Sequence, residues 1–268
     1  MHPKLFDAGP ITVYSYGFFI AIGALLGLVY MATQAKKQFN LSYDQSNSLF
    51  IYIVVAAVVG GKIFLFFENP SYYAQNLGRL VRGSGFVFYG SFLFAVPTML
   101  WFFRRHKIPT LAMLDVMAVV TCIVHAFGRI GCLMAGCCHG KPTESFFGIV
   151  FTDPMCQAEP LNTPLHPTQI YEATFLFALL GFLTWLKGRK TFDGQLFFTY
   201  LIVYAVGRGI IEIFRGDVAR GFVVDGILSN SQFVSLLVIA ATIYFYVKLK
   251  RKGKLLKTSP HAAGKHPK

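Results

Sequence analysis

Seven long apolar segments constrain the fold of this chain more than any other feature of its sequence. They are segments 13–34, 46–67, 86–103, 109–128, 169–186, 194–211 and 231–247. Several approach the roughly 20 apolar residues that a helix needs to cross about 30 Å of hydrocarbon. Charged residues make up 14% of the chain, against roughly 25% in a soluble domain, too few to cover a water-facing surface. The sequence therefore predicts an all-α integral membrane protein with seven transmembrane helices.

Clusters of basic residues predict how these helices are oriented. The clusters follow the odd-numbered segments: Lys36 and Lys37, Arg104 and Arg105 with Lys107, Lys187 with Arg189 and Lys190, and the tail from Lys248 onward. By the positive-inside rule, the N-terminus lies outside and the C-terminus inside. We expect a seven-span domain over residues 1–250 and a basic, disordered cytoplasmic tail over 251–268. Because the net charge of +13 is placed at membrane boundaries, we do not expect nucleic-acid binding.

The segment after the fourth span is the densest candidate site. It runs from Gly128 to Thr143 and contains four glycines within 13 residues, which favours close backbone approach or exposed amides that bind an anion. Arg129 lies at the membrane boundary among apolar neighbours, so its guanidinium should pair with a phosphate, a carboxylate or carbonyl groups. The alternative is that Arg129 extends to lipid headgroups without further function.

Two further segments have polar residues at the ends of predicted spans. His166, Gln169, Tyr171 and Glu172 precede or begin the fifth span, and His166 and Glu172 could reach one site only if the helix starts after Pro167. The alternative is a helix cap with an interfacial aromatic residue.

The second of these segments ends the sixth span. Arg208 and Glu212 lie four positions apart, on one helix face, and Arg215 follows. Ionisable residues inside a membrane are costly and indicate function by default, although a purely structural ion pair remains the alternative.

Cysteines cluster in the loop that follows the fourth span. Cys132, Cys137, Cys138 and His139 lie close in sequence, with Cys156 in the same loop. Cys132 or Cys156 could form a disulfide with one of the adjacent cysteines in an oxidising compartment. Three thiolates and the imidazole could instead hold a soft metal such as zinc or copper. A redox-active or acyl-accepting thiol is a third possibility.

Taken in order, these segments resemble the prolipoprotein diacylglyceryl transferase family. The family has a GRxGN-type signature, an HPxQxYE segment and an RxxxE…R element, which look like Gly128–Gly131, His166–Glu172 and Arg208–Arg215 here. Its Tyr-Gly pair near the first span looks like Tyr16 and Gly17. The resemblance implies seven spans in a bacterial inner membrane, with the active site facing the outer leaflet. It also implies transfer of a diacylglyceryl group from phosphatidylglycerol to the lipobox cysteine of a prolipoprotein signal peptide.

The same resemblance implies the site residues. A catalytic role is expected for Arg129, Arg208, Glu212, His166 and Tyr16. Phosphatidylglycerol is expected to contact Arg129, Gly131, Tyr89, Gly90, Gly140, Gln169, Tyr171 and Arg215. Arg129 would hold the headgroup, Arg208 would close the site and Glu212 would orient an arginine. We expect no cofactor, membrane lipid as a partner, and a monomer.

The chain departs from the family pattern at several positions. Tyr89 stands before the glycine at the entrance of the third span, where typical members have a histidine that is a candidate general base. Cys132, Ala135 and Cys137 replace two asparagines and an acidic residue. The proton would then pass to His166 or His139, or arginine alone would stabilise the substrate thiolate. The alternatives are a related enzyme with a different acceptor, or a non-enzymatic membrane thiol or metal-binding protein.

Overall fold

The structure, a computed structural model, is mainly helical. It describes residues 1–8, 11–82, 85, 87–215, 222–224 and 228–258. The helices are α1 (Ser15–Phe39), α2 (Tyr43–Glu68), α3 (Pro70–Gln75), α4 (Leu77–Arg82), α5 (Phe88–Arg105), α6 (Thr110–Ala135), α7 (Thr168–Lys187), α8 (Gln195–Glu212) and α9 (Asn230–Thr258). Among the described residues there are also three antiparallel pairs of short strands: β1 (Lys4–Ala8) with β2 (Ile11–Tyr14), β3 (Ile149–Val150) with β4 (Pro164–Leu165), and β5 (Phe222–Val224) with β6 (Leu228–Ser229).

The long helices coincide with the predicted apolar segments. Within the described residues, helices α1, α2, α5, α6, α7, α8 and α9 each have at least 18 residues. Five of them, α1, α2, α6, α7 and α9, are long and apolar enough to cross a membrane. The chain is therefore a multi-pass membrane protein. Helix α9 continues to Thr258, so the predicted tail begins within a helix, and residues 259–268 lie outside the described part.

Two compact units make up the chain, residues 28–113 forming the second of them. In this second unit, helix α2 begins with a capping box. The backbone N–H of Gln45 donates to Ser42 Oγ at 3.1 Å, and Gln45 Oε1 accepts from the backbone N–H of Ser42 at 2.9 Å. Gly60 of α2 and Gly90 of α5 face each other so closely that a Cβ on either would overlap the other's backbone. Small residues allow this approach of membrane helices, which gives Gly90 a packing role.

The first unit contains residues 1–27 and 114–268 and carries most of the predicted site. A buried carboxylate connects its elements at one end. Asp115, near the start of α6, accepts hydrogen bonds from the amides of Gly194 and Phe197 at 3.0 Å each and from Lys190 Nζ at 3.1 Å. Burial alone would lower the pKa of Lys190, but Asp193 and Asp115 together raise it. Asp115 thus caps the N-terminus of α8.

Replacing Asp115 by alanine is expected to destabilise this unit. The substitution removes a buried carboxylate that accepts hydrogen bonds from three donors, and breaking such a contact costs about 3 kcal/mol. We expect the apparent melting temperature in detergent to fall by about 6–12 °C. The matched control is Asp193→Ala, since Asp193 binds the same Lys190 at 3.1 Å but is 59% exposed, and exposed ion pairs contribute less than about 1 kcal/mol. Equal shifts for the two variants would contradict the prediction.

Candidate functional site

A buried carboxylate on α7 organises the candidate site. Glu172 is 1% exposed and receives three partners from two other helices. Arg129 Nε of α6 lies 3.0 Å from Glu172 Oε2, and His125 Nε2 of α6 lies 3.4 Å from Oε1. Tyr204 of α8 donates its hydroxyl to Oε1 at 2.9 Å. A charge this deeply buried needs such partners, so the four side chains form one unit, here called the Glu172 cluster.

The ion pair leaves part of the Arg129 guanidinium available. It is made through Nε, the inner nitrogen, and the side chain is 15% exposed. In the part of the chain that the structure describes, no hydrogen bond from the two terminal nitrogens is found. Nε of Arg129 thus faces a buried carboxylate, one of the partners that the sequence predicts for this guanidinium. The two outer nitrogens of a planar guanidinium carry two N–H groups each, which suits them to bind phosphate oxygens.

Arg208 and Glu212 form a second ion pair, along α8. Their side chains are 11% and 10% exposed, and Arg208 Nη1 contacts Glu212 Oε2 one helical turn away. The charge of Arg208 also acts on His125 and Tyr204 of the Glu172 cluster. The predicted pairing of Glu212 with an arginine is thus present, and the pair lies next to the cluster.

The glycine-rich loop is held against the start of α7. The Thr168 hydroxyl donates to the Cys138 carbonyl, and Gln169 Nε2 donates to the Cys137 carbonyl, both at 2.7 Å. The Gly140 amide donates to the His166 carbonyl at 2.8 Å. A Cβ on Gly140 would collide with the Phe214 carbonyl and with His166, so the close approach requires glycine. The loop therefore connects the ends of α6, α7 and α8.

Helix α7 begins at Thr168, as the sequence predicts, but it separates His166 from Glu172. His166 Nδ1 lies 3.2 Å from the Tyr171 hydroxyl, and its ring packs against Phe214 at 5.3 Å between centroids. Glu172 points instead to the cluster described above. The first-turn residue Gln169 is fully buried, and in the described residues its Oε1 accepts no hydrogen bond. A buried acceptor without a donor is costly in the free protein.

Tyr16 lies beside the same loop. A Cβ on Gly131 would lie 3.1 Å from the Tyr16 carbonyl and 3.3 Å from its ring, so glycine lets α1 and α6 meet there. The Tyr16 phenol is within electrostatic reach of Arg129 and of the loop thiols. The structure thus brings Tyr16 to the predicted site.

The three cysteines at the end of α6 form a cluster without a disulfide. All five cysteines lie in the described part of the chain, and all are free. The Sγ atoms of Cys132, Cys137 and Cys138 lie within 4.8 Å of one another. Hydrogen bonds from the Cys132 and Cys137 thiols hold the pKa of Cys138 well below its usual value, and Arg129 and Arg215 add to this effect. The cluster therefore favours a thiolate at Cys138.

The imidazole of His139, predicted as the fourth ligand, and the thiol of Cys156, predicted as a disulfide partner, lie outside this group of three sulfurs. Both ring nitrogens of His139 bind backbone: Nδ1 lies 3.0 Å from the Gly140 carbonyl oxygen, and Nε2 accepts from the Glu159 amide at 3.3 Å. Cys156 packs in a small apolar core with Phe151 and Leu165, where burial raises the pKa of its thiol. The expected disulfide with Cys156 and the four-ligand set with His139 are therefore not formed.

An apolar cavity of about 340 Å³ lies between α7 and α8. Tyr171 and Phe175 line it from α7, and Val206, Gly207 and Ile210 are among the residues that line it from α8. Tyr171 also binds His166, and Gly207 directly precedes Arg208. The cavity therefore reaches Tyr171 in the first turn of α7, and its otherwise apolar lining suits a hydrocarbon chain.

Comparison with known proteins identifies the family of this chain. The family model for prolipoprotein diacylglyceryl transferase matches residues 3–248. The chain belongs to this family. It is 35% identical to the phosphatidylglycerol–prolipoprotein diacylglyceryl transferase of Clostridium tetani over 247 residues, which cover 92% of this chain and 97% of that protein. Its identity to the corresponding transferase 2 of Clostridium perfringens is 34% over 247 residues (91% and 94%). With the transferase of Dehalococcoides mccartyi it shares 30% over 255 residues (94% and 95%).

Two residues of this member of the prolipoprotein diacylglyceryl transferase family were missed by the sequence reasoning. His125 lies four positions before Arg129 on α6, which puts both on one helix face, and an ionisable residue inside an apolar span indicates function. That spacing could have identified His125. Tyr204 could not be distinguished from the other tyrosines of the apolar spans, because its role depends on the packing of α8 against α7.

Two predicted lipid-binding residues of this family member belong to the second unit. Tyr89 and Gly90 begin α5, and Gly90 is accounted for by its packing on Gly60. The Tyr89 ring contacts Phe88 edge-on, with centroids 6.2 Å apart. Their proposed contact with phosphatidylglycerol stays a prediction.

Proposed function

We propose that this chain transfers the diacylglyceryl group of phosphatidylglycerol to the lipobox cysteine of prolipoproteins. The observation that carries the proposal is the Glu172 cluster, in which a buried carboxylate fixes Arg129 through Nε and leaves the two outer nitrogens for an anion. Family membership and the names of the relatives support the same reaction.

The reaction balances as a displacement at carbon. The substrate thiol loses its proton, its sulfur bonds to the terminal glyceryl carbon, and the carbon–oxygen bond to phosphate breaks. Glycerol phosphate leaves with the bonding electrons, so negative charge builds up on phosphate oxygens. Fixed cationic donors stabilise that charge without reorganising. Arg129 fills this role, Arg208 closes the site beside it, and Glu172 and Glu212 orient the two guanidinium groups.

The lipid itself is expected to lie along α7 and α8. One acyl chain occupies the apolar cavity lined by Tyr171, Phe175 and Val206. The headgroup glycerol donates a hydroxyl to Gln169 Oε1, the buried acceptor that lacks a donor in the described residues. Gly131 keeps α6 close to Tyr16, Gly140 keeps the loop close to His166 beside the headgroup, and Arg215 adds positive charge near Cys138.

The distribution of charge supports the proposal of seven spans and an outward-facing site. Basic residues occur in the last turns of α1, α5 and α7, while α6 and α8 end without one. The candidate site is built from the opposite helix ends: the C-terminal ends of α6 and α8 and the start of α7. By the positive-inside rule this distribution supports a site at the outer leaflet, and family membership supports a bacterial inner membrane. Reporter fusions after Lys141 and Lys250 should locate these two points on opposite faces.

An assay with defined substrates tests the proposed function. Purified protein in mixed micelles is given phosphatidylglycerol labelled in its acyl chains and a peptide with a lipobox cysteine. We expect a labelled thioether that resists hydroxylamine, together with one released glycerol phosphate per product. Label transferred to another acceptor would favour the related enzyme with a different substrate. Absence of any transfer, with intact folding, would end the transferase proposal.

His125 is the proton acceptor that the geometry favours. Glu172 faces its Nε2 at 3.4 Å, so a proton held there leaves Nδ1 as the basic nitrogen, and the side chain is 26% exposed. General base catalysis contributes about 10²–10⁴-fold. We therefore expect His125→Gln to lower kcat at least about 100-fold, with little change in KM for phosphatidylglycerol, and to remove the ionisation of the base from the pH profile of kcat.

His166→Gln is the matched comparison for this prediction. His166 binds Tyr171 and packs on Phe214 rather than entering the Glu172 cluster. Its replacement is expected to lower kcat less than about tenfold, the loss of one positioning contact. If His166→Gln instead abolishes the pH dependence and His125→Gln retains it, the base is His166, as the family resemblance implies.

A further inference from the structure

The three thiols at the end of α6 converge because of how that helix terminates. Gly136 has φ +74°, the left-handed conformation that ends a helix at glycine. The Cys137 amide donates to the Cys132 carbonyl at 3.1 Å, and the Gly136 amide donates to the Leu133 carbonyl at 3.2 Å. These two bonds define a Schellman motif, which brings the side chain after the glycine over the one five positions earlier. Here both positions are cysteines.

Cys138 joins them through an uncommon backbone conformation. Its φ is +61°, a region that residues other than glycine rarely occupy and that costs roughly 1–3 kcal/mol. The carbonyls of Cys137 and Cys138 are fixed by Gln169 and Thr168 at 2.7 Å. The strained conformation is therefore maintained by α7, and it holds the third sulfur within 4.8 Å of the other two.

We propose that Cys132, Cys137 and Cys138 bind one soft, thiophilic cation, Cu(I), through their three sulfurs. Thiolates select Cu(I), zinc or iron–sulfur clusters over hard cations. Structural zinc sites are almost always four-coordinate, and in the described residues no histidine or carboxylate atom completes this group of three. His139, the expected fourth ligand, is bound to backbone through both ring nitrogens. Three sulfurs alone suit a low-coordinate monovalent cation.

Neighbouring charges support an anionic metal–thiolate centre. Three thiolates with one Cu(I) carry two negative charges, which would be costly to bury alone. Arg129 and Arg215 act on the Cys138 sulfur with positive charge. The proposed cation site shares the positive charge of Arg129 and Arg215 with the proposed transfer site, but its three sulfur ligands have no role in the transfer reaction.

Anaerobic titration of the full-length, fully reduced protein with Cu(I) in the presence of a chromogenic chelator tests the proposal. We expect one equivalent to bind, with three sulfur neighbours and no nitrogen or oxygen neighbour in X-ray absorption. Single variants Cys132→Ser, Cys137→Ser and Cys138→Ser should each weaken binding more than about 100-fold, beyond the 10–100-fold typical for loss of an outer partner. The matched controls Cys122→Ser and Cys156→Ser, which alter the other two free cysteines, should bind as the unaltered protein does.

Several results would overturn the proposal. One is that the reduced protein binds Cu(I) no more tightly than the triple serine variant. Another is that Cys156→Ser loses as much Cu(I) affinity as the variants of the three proposed ligands. A third is a coordination shell that contains histidine nitrogen. Melting temperatures in detergent identify variants that fail to fold, and for these Cys→Ala replacements at the same positions take their place. The titration does not depend on transferase activity, so its failure and the failure of the proposed function are separable.

Discussion

Replacing Arg129 by alanine is expected to lower kcat/KM for diacylglyceryl transfer by at least about 10³-fold, the largest effect of any single change in this chain. The phosphate leaving group gains charge as the carbon–oxygen bond breaks, and the outer nitrogens of Arg129 are the cationic donors fixed next to it. Arg129→Lys keeps the positive charge but loses the planar pair of donors. We expect it to recover less than about a tenth of the activity.

Control variants separate this effect from general loss of positive charge. Arg189 is exposed, and its guanidinium lies 4.5 Å from the Trp185 ring centroid, at the end of α7 remote in sequence from the Glu172 cluster. Arg189→Ala should change kcat/KM by less than about twofold, in keeping with other exposed substitutions. Activity of Arg129→Ala within tenfold of the unaltered protein, measured on the same labelled phosphatidylglycerol, would remove Arg129 from the mechanism.

The second large effect is expected on stability when Glu172 is replaced. Combining this replacement with Arg129→Ala tests whether the two charges form a buried pair. Glu172→Gln leaves the buried Arg129 without a countercharge, and Arg129→Ala leaves the buried Glu172 without one. Each single change should destabilise the protein by about 3–5 kcal/mol. The double variant removes both charges, so it should have a higher melting temperature than either single variant. This non-additivity follows from the Nε–Oε2 separation of 3.0 Å and the 1% exposure of Glu172.

Tyr204→Phe is the matched control for this cycle. It removes one hydrogen bond of 2.9 Å to the same carboxylate but no charge, so we expect about 1–2 kcal/mol of destabilisation. Combined with Arg129→Ala it should give no recovery of stability. If the melting temperatures of the Arg129 and Glu172 variants simply add, the two side chains do not form a buried pair, and the proposed anchoring of Arg129 is wrong.

The candidate site was predicted from the sequence with uneven success. Arg129, the Arg208–Glu212 pair and the start of α7 after Pro167 could be identified because each depends on neighbours in the chain. The pairing of His166 with Glu172 in one site was a reasonable hypothesis, but α7 turns Glu172 towards α6 and α8 instead. The histidine of the thiol loop was predicted as a ligand from its position next to Cys138, yet His139 is bound to backbone.

The sequence by itself determined that this chain crosses a membrane several times, and it located where the long helices begin, but α1, α6 and α9 end at Phe39, Ala135 and Thr258, beyond the predicted segments. Apolar length, prolines, glycines and basic clusters act locally, so they can be interpreted without knowing any partner. Only the tertiary structure decided that Glu172 binds Arg129, His125 and Tyr204, and that three sulfurs meet without an imidazole. These contacts depend on how α6, α7 and α8 are rotated against each other. Helices that are apolar on most faces carry little sequence periodicity from which that rotation could be inferred.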